Sequence, residues 1–197
     1  MDELTEKKGA LRKRTLAVRD ALSPEVRAKK SEQIRSLLFQ LPEFVSAGTV
    51  MFFISFRSEV MTEGMIKGAL ALGKRVVVPV TDLDHRRLIL SALEDFERDL
   101  AVSTYGILEP KREKVKEVRA EELDLIIAPG SVFDERGGRI GYGGGYYDEL
   151  LGRVSGETLV AALAFQFQVV DEVPVREGHD IPVHKIITEE RVIECRK

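Results

Sequence analysis

The segment Arg139-Ile140-Gly141-Tyr142-Gly143-Gly144-Gly145-Tyr146-Tyr147-Asp148 concentrates groups that could do chemistry. Four glycines in five positions let backbone N–H groups crowd a ligand at angles other residues resist. A helix starting at Tyr146 would add free N–H groups and the positive end of its dipole, which suits phosphate. The segment is not a Walker A loop, because no Lys-Ser/Thr follows. Nor is it the dinucleotide fingerprint, because Tyr146 stands where the third glycine belongs. The plainer reading is a tight hairpin, with Gly137-Gly138 turning the chain and the tyrosines packed as core. The glycines alone do not separate the two readings. Two adjacent tyrosines followed by Asp148 are harder to explain as a turn.

Other candidates are scattered. Lys8, Arg12 and Arg14 could clamp phosphates, although a charged helix face is usually a solvated surface. Glu59 is a single carboxylate in a post-strand segment, where acids are usually inert. His179-Asp180 could bind metal, yet an Asp before Ile181-Pro182 is more often a turn former. His85 and His184 show no partner pattern and read as surface residues. Cys195 reads as a structural thiol, and one cysteine leaves no disulfide framework within these residues. Tyr105-Gly106-Ile107-Leu108-Glu109-Pro110 reads as a chain reversal leading into an extended segment.

These groups need a scaffold, and the periodicities supply one. A first helix, roughly 4–21, places Leu4, Leu11, Val18 and Leu22 on one face, with Lys8, Arg12, Thr15 and Arg19 as a cationic stripe beside it. Ser23-Pro24 starts a second helix, whose buried face is Val26, Ile34, Leu37, Leu38 and Leu41, closed by Pro42. Strands then alternate with helices: strand Thr49–Ile54, a helix over 62–72 ended by Gly73, and strand Arg75–Val80 form a βαβ unit. Further strands are read at Leu88–Leu93, Leu123–Ala128, 158–164, 185–188 and 191–195, with a helix near 146–153 and a solvated helix or loop at 111–122. This is α/β with a largely parallel sheet. The candidate groups follow strand ends, at Ser55–Glu59, Pro129–Gly145 and Phe165–Gln168, and ligands of open α/β sheets bind outside those ends.

Composition narrows the class. The 197 residues are 44% hydrophobic and 32% charged, an ordinary globular balance that needs no disulfide or metal staple. Thirty Lys and Arg against 33 Asp and Glu give a net charge of −3, which argues against a general nucleic-acid binder. The strongly apolar runs near 50–54 and 158–165 are too short to span a bilayer. The opening MDELTEKKGALRKR has no apolar stretch and is not expected to be a secretory signal. The expectation is a cytoplasmic protein of one domain, residues 1–197, with no membrane or nucleic-acid partner.

Ala128-Pro129-Gly130, Phe133-Asp134, Gly137, Arg139 and GYGGGYYD at 141–148 strongly resemble the 5-formyltetrahydrofolate cyclo-ligase family. Supporting marks run along nearly the whole chain. They are the Lys8–Arg12 stretch, Ser58-Glu59, the Tyr105–Pro110 segment and the late His179-Asp180. His184 departs from the pattern, since many relatives carry an acid there, and it receives no role.

The resemblance implies a Rossmann-like, doubly wound sheet with the N-terminal helices packed alongside. It implies that 5-formyltetrahydrofolate and ATP give 5,10-methenyltetrahydrofolate, ADP and phosphate, with Mg²⁺ required. ATP would be bound by Lys8, Gly9, Ala10, Leu11 and Arg12, and by Arg139, Ile140, Gly141, Tyr142, Gly143, Gly144, Gly145, Tyr146 and Tyr147. Folate would meet Ile54, Glu59 and Tyr142 through Tyr146, and Asp148 and Asp180 would hold Mg²⁺. No dedicated nucleophilic side chain is implied, because phosphoryl transfer is mostly positioning and charge stabilisation. The chain is expected as a monomer, with a weak dimer as the alternative. Two other readings stand beside this one: a sugar-phosphate isomerase or CoA-transferase-like enzyme, and a non-catalytic ATP- or phosphate-binding module.

Overall fold

The computed structural model describes residues 3–103, 106–175 and 178–195, so Tyr105 of the middle segment lies outside the described residues. Two helices lead, α1 (Glu3–Asp20) and α2 (Pro24–Gln40). The Ser23 hydroxyl caps α2 by accepting from the Val26 N–H, with Pro24 in the first turn. Ile34 and Leu38 are buried as expected, but Val26 is 43% exposed. At about 100° per residue it lies about 80° from Ile34 and about 120° from Leu38, off their stripe. Pro42 does end α2, and it also opens a short helix, α3 (Pro42–Ser46).

The apolar stripe of the first helix is split: Leu11 and Leu22 pack against the cores, and Val18 does not. Val18 is 49% exposed, whereas Thr15 and Arg19 are buried. The cationic stripe turns inward because polar acceptors, not aliphatic side chains, wait for it there.

The alternating region follows as β1 (Thr49–Phe52), α4 (Glu63–Ala71), β2 (Arg75–Asp82), β3 (Arg87–Leu93), α5 (Phe96–Asp99), β4 (Leu100–Val102) and β5 (Leu108–Pro110). Residues 111–122 form two short 3-10 turns rather than a helix. Then come β6 (Leu125–Ala128), β7 (Val132–Asp134), β8 (Arg139–Ile140), α6 (Tyr146–Leu151), β9 (Leu159–Leu163), β10 (Val169–Val170), β11 (Lys185–Ile187) and β12 (Val192–Glu194).

Seven strands make the main sheet in the order β12-β11-β9-β6-β1-β2-β3. The five inner strands are parallel, and β3 and β12 close the edges antiparallel. Both faces are covered. Val50, Phe52, Leu125 and Ile127 meet Ile34 and Leu38 of α2 and Ile66 of α4, while Met51, Ile126 and Val160 meet Leu150 and Leu151 of α6. Double-sided burial is why β1 and β6 read as unbroken apolar runs. Numbered in chain order, the parallel strands lie 2-1-3-4-5, so direction of winding reverses between β1 and β6. That order makes the sheet doubly wound, as expected, and fixes where its crevice opens.

A second sheet, β10-β7-β8, was not legible in the sequence. Two- and three-residue strands are too short to show a period. Its β7–β8 hairpin turns through Gly137, whose φ is 89°. A Cβ there would strike the Val183 carbonyl oxygen. The Asp134 carboxylate ties the turn by accepting from the Arg136 and Gly138 N–H groups, both at 2.9 Å. Gly137-Gly138 therefore does turn the chain, and the later glycines are left for other work.

Candidate active site

A cleft of about 1200 Å³ lies beyond the carboxyl ends of β1 and β6, at the reversal. A single drug-sized ligand typically occupies a pocket of about 300–1,000 Å³, so this one has room for two reactants. The loop after β1 contributes Phe53, Ile54, Phe56, Arg57 and Glu59. The loop after β6 and β8 contributes Pro129 and the run from Arg139 to Glu149. From α1 come Lys8 and Arg12, and from the late loop His179, Asp180 and Ile181. Lys8 and Asp180, 172 positions apart in sequence, thus share one wall.

The glycine run forms the floor beside α1. Arg12 Nε donates to the Gly141 carbonyl at 2.7 Å, holding the loop to the helix. Gly143, with a φ of 99°, adopts the left-handed backbone that glycine alone takes freely, and Arg12 lies beside it. α6 begins at Tyr146, as read from the sequence. Lys8 and Arg12 face the cleft, but Gly9, Ala10 and Leu11 are not among its lining residues. Ala10 and Leu11 instead border a separate cavity with Lys7, Arg14, Glu172 and Pro174. Helical geometry explains the split, since residues four apart share a face and those between them do not.

Arg139 is buried, with its side chain 3% exposed, and its guanidinium pairs with Asp148 at 2.8 Å. Its Nε has no hydrogen-bond partner among the described residues. The Tyr147 ring lies 5.9 Å from this guanidinium, and the tyrosine packs into both apolar cores. Burial pushes the Tyr147 phenol well above its ordinary range, with the Glu59 charge adding to the shift. Tyr147 is therefore core as well as cleft wall.

On the opposite side Glu59 is 6% exposed and accepts from the Phe56 N–H at 2.9 Å. Burial raises its carboxyl pKa, while that N–H and the nearby Arg19 charge pull the other way. Arg19 is the residue sequence reasoning missed. Only 2% exposed, it donates to Ser58 Oγ at 3.1 Å, to the Gly130 carbonyl at 3.4 Å and to the Tyr142 hydroxyl. One guanidinium thus ties α1 to the loop after β1, the end of β6 and the glycine loop. Desolvation and the Glu59 charge push the Tyr142 phenol up to about 12, so it is a neutral O–H at physiological pH. The signal for Arg19 was present: it continues the Lys8, Arg12 and Thr15 stripe.

The fold brings Asp148 and the His179-Asp180 loop together, since the Ile181 N–H donates to Asp148 Oδ1 at 3.3 Å. Asp180 pairs with Lys8. The two acids assigned to metal are thus ion-paired with two bases assigned to ATP. Among the described residues no group of three or more potential ligands could hold a metal ion. Two carboxylates still fit Mg²⁺, which keeps several waters and takes substrate phosphates as its remaining ligands. His184 corrects the surface expectation: its Nδ1 accepts from the Val160 N–H at 2.9 Å, bracing β9. No helix among the described residues is long and apolar enough to cross a membrane.

A family model described as the 5-formyltetrahydrofolate cyclo-ligase family matches residues 4–189. The 5-formyltetrahydrofolate cyclo-ligase of Escherichia coli (strain K12) is 33% identical over 177 residues, covering 89% of this chain and 97% of its own. The protein of that name from Mus musculus is 31% identical over 178 residues, covering 86% and 87%. Among solved structures, the NMR structure of Aquifex aeolicus 5,10-methenyltetrahydrofolate synthetase matches with a TM-score of 0.83. It is 35% identical and covers 96% of this chain and 93% of its own.

Proposed function

As the chain belongs to the 5-formyltetrahydrofolate cyclo-ligase family, we propose that it converts 5-formyltetrahydrofolate and ATP into 5,10-methenyltetrahydrofolate, ADP and phosphate. One observation carries the reading furthest. A single cleft is lined both by Lys8, Arg12 and Arg139 with the glycine run and by the apolar Phe53, Ile54 and Phe56, with the Glu59 carboxyl among them.

The chemistry asks for such a meeting place. A formamide carbon is a poor electrophile and its oxygen a poor leaving group. Transfer of the γ-phosphoryl to the formyl oxygen gives an iminium phosphate; N10 attacks that carbon, and phosphate departs. Lys8, Arg12 and Arg139 offset the charge of the triphosphate, while Gly143–Gly145 let the backbone approach it. Tyr142 and Tyr146 stand where the two reactants adjoin, and Ile54 and Glu59 receive the folate, Glu59 by hydrogen bonding to the folate's polar groups. Mg²⁺, held by Asp148 and Asp180 directly or through water, would neutralise phosphate charge when bound. The residues 1–197 are read as one domain acting as a monomer, or at most a weak dimer. A cytoplasmic location goes with this reading, and a single cysteine leaves no disulfide to form within these residues.

The test is methenyl-folate absorbance on adding 5-formyltetrahydrofolate, with and without Mg-ATP. ATP-dependent growth of the signal with matching ADP release is the expected result. ATP binding without folate-dependent ADP release would mark a nucleotide-binding module, and turnover of a sugar phosphate or CoA ester without ATP a different enzyme.

A further inference from the structure

Arg57 is one of two non-glycine residues with positive φ among the described residues, at 54°. It occupies the second position of the turn Phe56–Glu59, where the Glu59 N–H donates to the Phe56 carbonyl at 3.2 Å. Turns with positive φ at that position are dominated by glycine, asparagine and aspartate. An arginine there is strained, and strain of this kind persists only where its surroundings over-determine it. Two contacts do so. The Glu59 carboxylate accepts the Phe56 N–H at 2.9 Å, and Arg27 of α2 donates to the Arg57 carbonyl at 2.8 Å.

The strained turn aims a charge at the cleft. Arg57 is exposed, lines the cleft, and holds its guanidinium 5.0 Å from the Phe56 ring centroid. The other cations of the cleft serve its other parts: Arg139, Lys8 and Arg153 pair with Asp148, Asp180 and Glu149, and Arg12 donates to the Gly141 carbonyl beside the glycine floor assigned to ATP. Among the described residues no carboxylate lies within ion-pair distance of Arg57. Around it lie Phe53, Ile54 and Phe56, the apolar half of the cleft, rather than the glycine floor.

We propose that Arg57 is a specificity-determining residue that anchors the glutamyl carboxylates of the folate substrate. The inference rests on the cyclo-ligase reading given above. A folate is a polar bicycle, an aromatic ring and an anionic tail in series. With the bicycle at Glu59 and Tyr142 and the ring on Phe56, Ile54 and Leu108, the tail needs a cation at the rim of the apolar half. Arg57 supplies a planar, bidentate donor suited to carboxylate. Arg57 stands two residues from Glu59 in the same turn, so the two side chains can meet opposite ends of the ligand.

The experiment compares the unmodified protein with Arg57→Asn and Arg57→Lys. Asparagine tolerates the left-handed turn, so the melting temperature holds and folding loss does not confuse the result. For Arg57→Asn, KM for 5-formyltetrahydrofolate rises at least fivefold, KM for its γ-linked triglutamate rises at least as much, and KM for ATP stays. Arg57→Lys recovers part of the loss. An unchanged folate KM, or an equal rise for ATP and folate, overturns the assignment and leaves Arg57 a solvated surface charge. Failure of the unmodified protein to turn over 5-formyltetrahydrofolate at all overturns the reaction itself, and this role with it.

Discussion

Arg139 and Asp148, nine residues apart, meet at 2.8 Å across the glycine loop, one at its entry and the other in the first turn of α6. The pair fastens both ends of the loop that floors the cleft. It also means that the acid proposed for metal neutralises a buried guanidinium. Binding of a metal and triphosphate would therefore trade one set of charge partners for another.

Asp148→Asn tests that exchange. Removing the charge leaves a nearly buried Arg139 with a weaker partner, and stability should fall by about 1–3 kcal/mol. If Asp148 also serves Mg²⁺, the curve of turnover against Mg²⁺ should shift to higher metal and be partly rescued by excess. Melting temperature and metal titration are measured together. Lowered melting with an unshifted metal curve restricts Asp148 to the ion pair.

Arg19→Lys keeps the charge and loses the fork. A lysine cannot serve Ser58, Gly130 and Tyr142 at once. Loss of one or two of these buried bonds should cost about 1–3 kcal/mol of stability. Folate turnover should fall more than ATP affinity, because two of the three partners sit beside Glu59. Equal losses in both would show that Arg19 supports the fold alone.

Glu59 predicts a pH dependence. Burial raises its native pKa above the ordinary 4.5 of a glutamate, so native protein keeps a proton that unfolded chain has lost. Its stabilising contribution is full below about 4.5 and is lost as pH rises through the native pKa. Glu59→Gln should therefore melt higher than the unmodified protein at neutral pH, with the gain shrinking toward pH 4.5. Folate-dependent turnover should drop at least tenfold, about 1.4 kcal/mol, while ATP binding persists. Melting curves that stay parallel across this range contradict the raised pKa.

Two glycines of similar backbone angle should respond differently. Gly137→Ala and Gly143→Ala both pay about 1–2 kcal/mol for a left-handed alanine. At Gly137 the new methyl also meets the Val183 carbonyl and the Pro182 and Cys195 side chains, so melting should fall further there. At Gly143 the nearest atom is Arg12 Nη2 at 3.8 Å, so the effect should appear in turnover and ATP affinity instead. A Gly143 variant with normal ATP affinity removes that glycine from the nucleotide site.

The sequence by itself carried the alternation of strands and helices, the doubly wound class and the segments that gather at the strand ends. Those features are local or follow from local rules: β1 and β6 are apolar because both their faces are buried, and Ser23-Pro24 caps α2 by contacts within one turn. It also carried the family, through residues whose types and order are specific even when their partners are unknown. Tertiary structure decided how the charges were spent. Spacing showed that Lys8, Arg12 and Arg19 share a face, but not that this face turns inward while Val18 is left in water. Nor could spacing pair Arg139 with Asp148, Lys8 with Asp180, or Arg19 with Tyr142. Whether a charged side chain is solvated or buried depends on which acceptors arrive from elsewhere in the chain. For these residues the acceptors come from the loops after β1, β6 and β8, from the first turn of α6 and from the His179-Asp180 loop, and only the folded sheet brings them together.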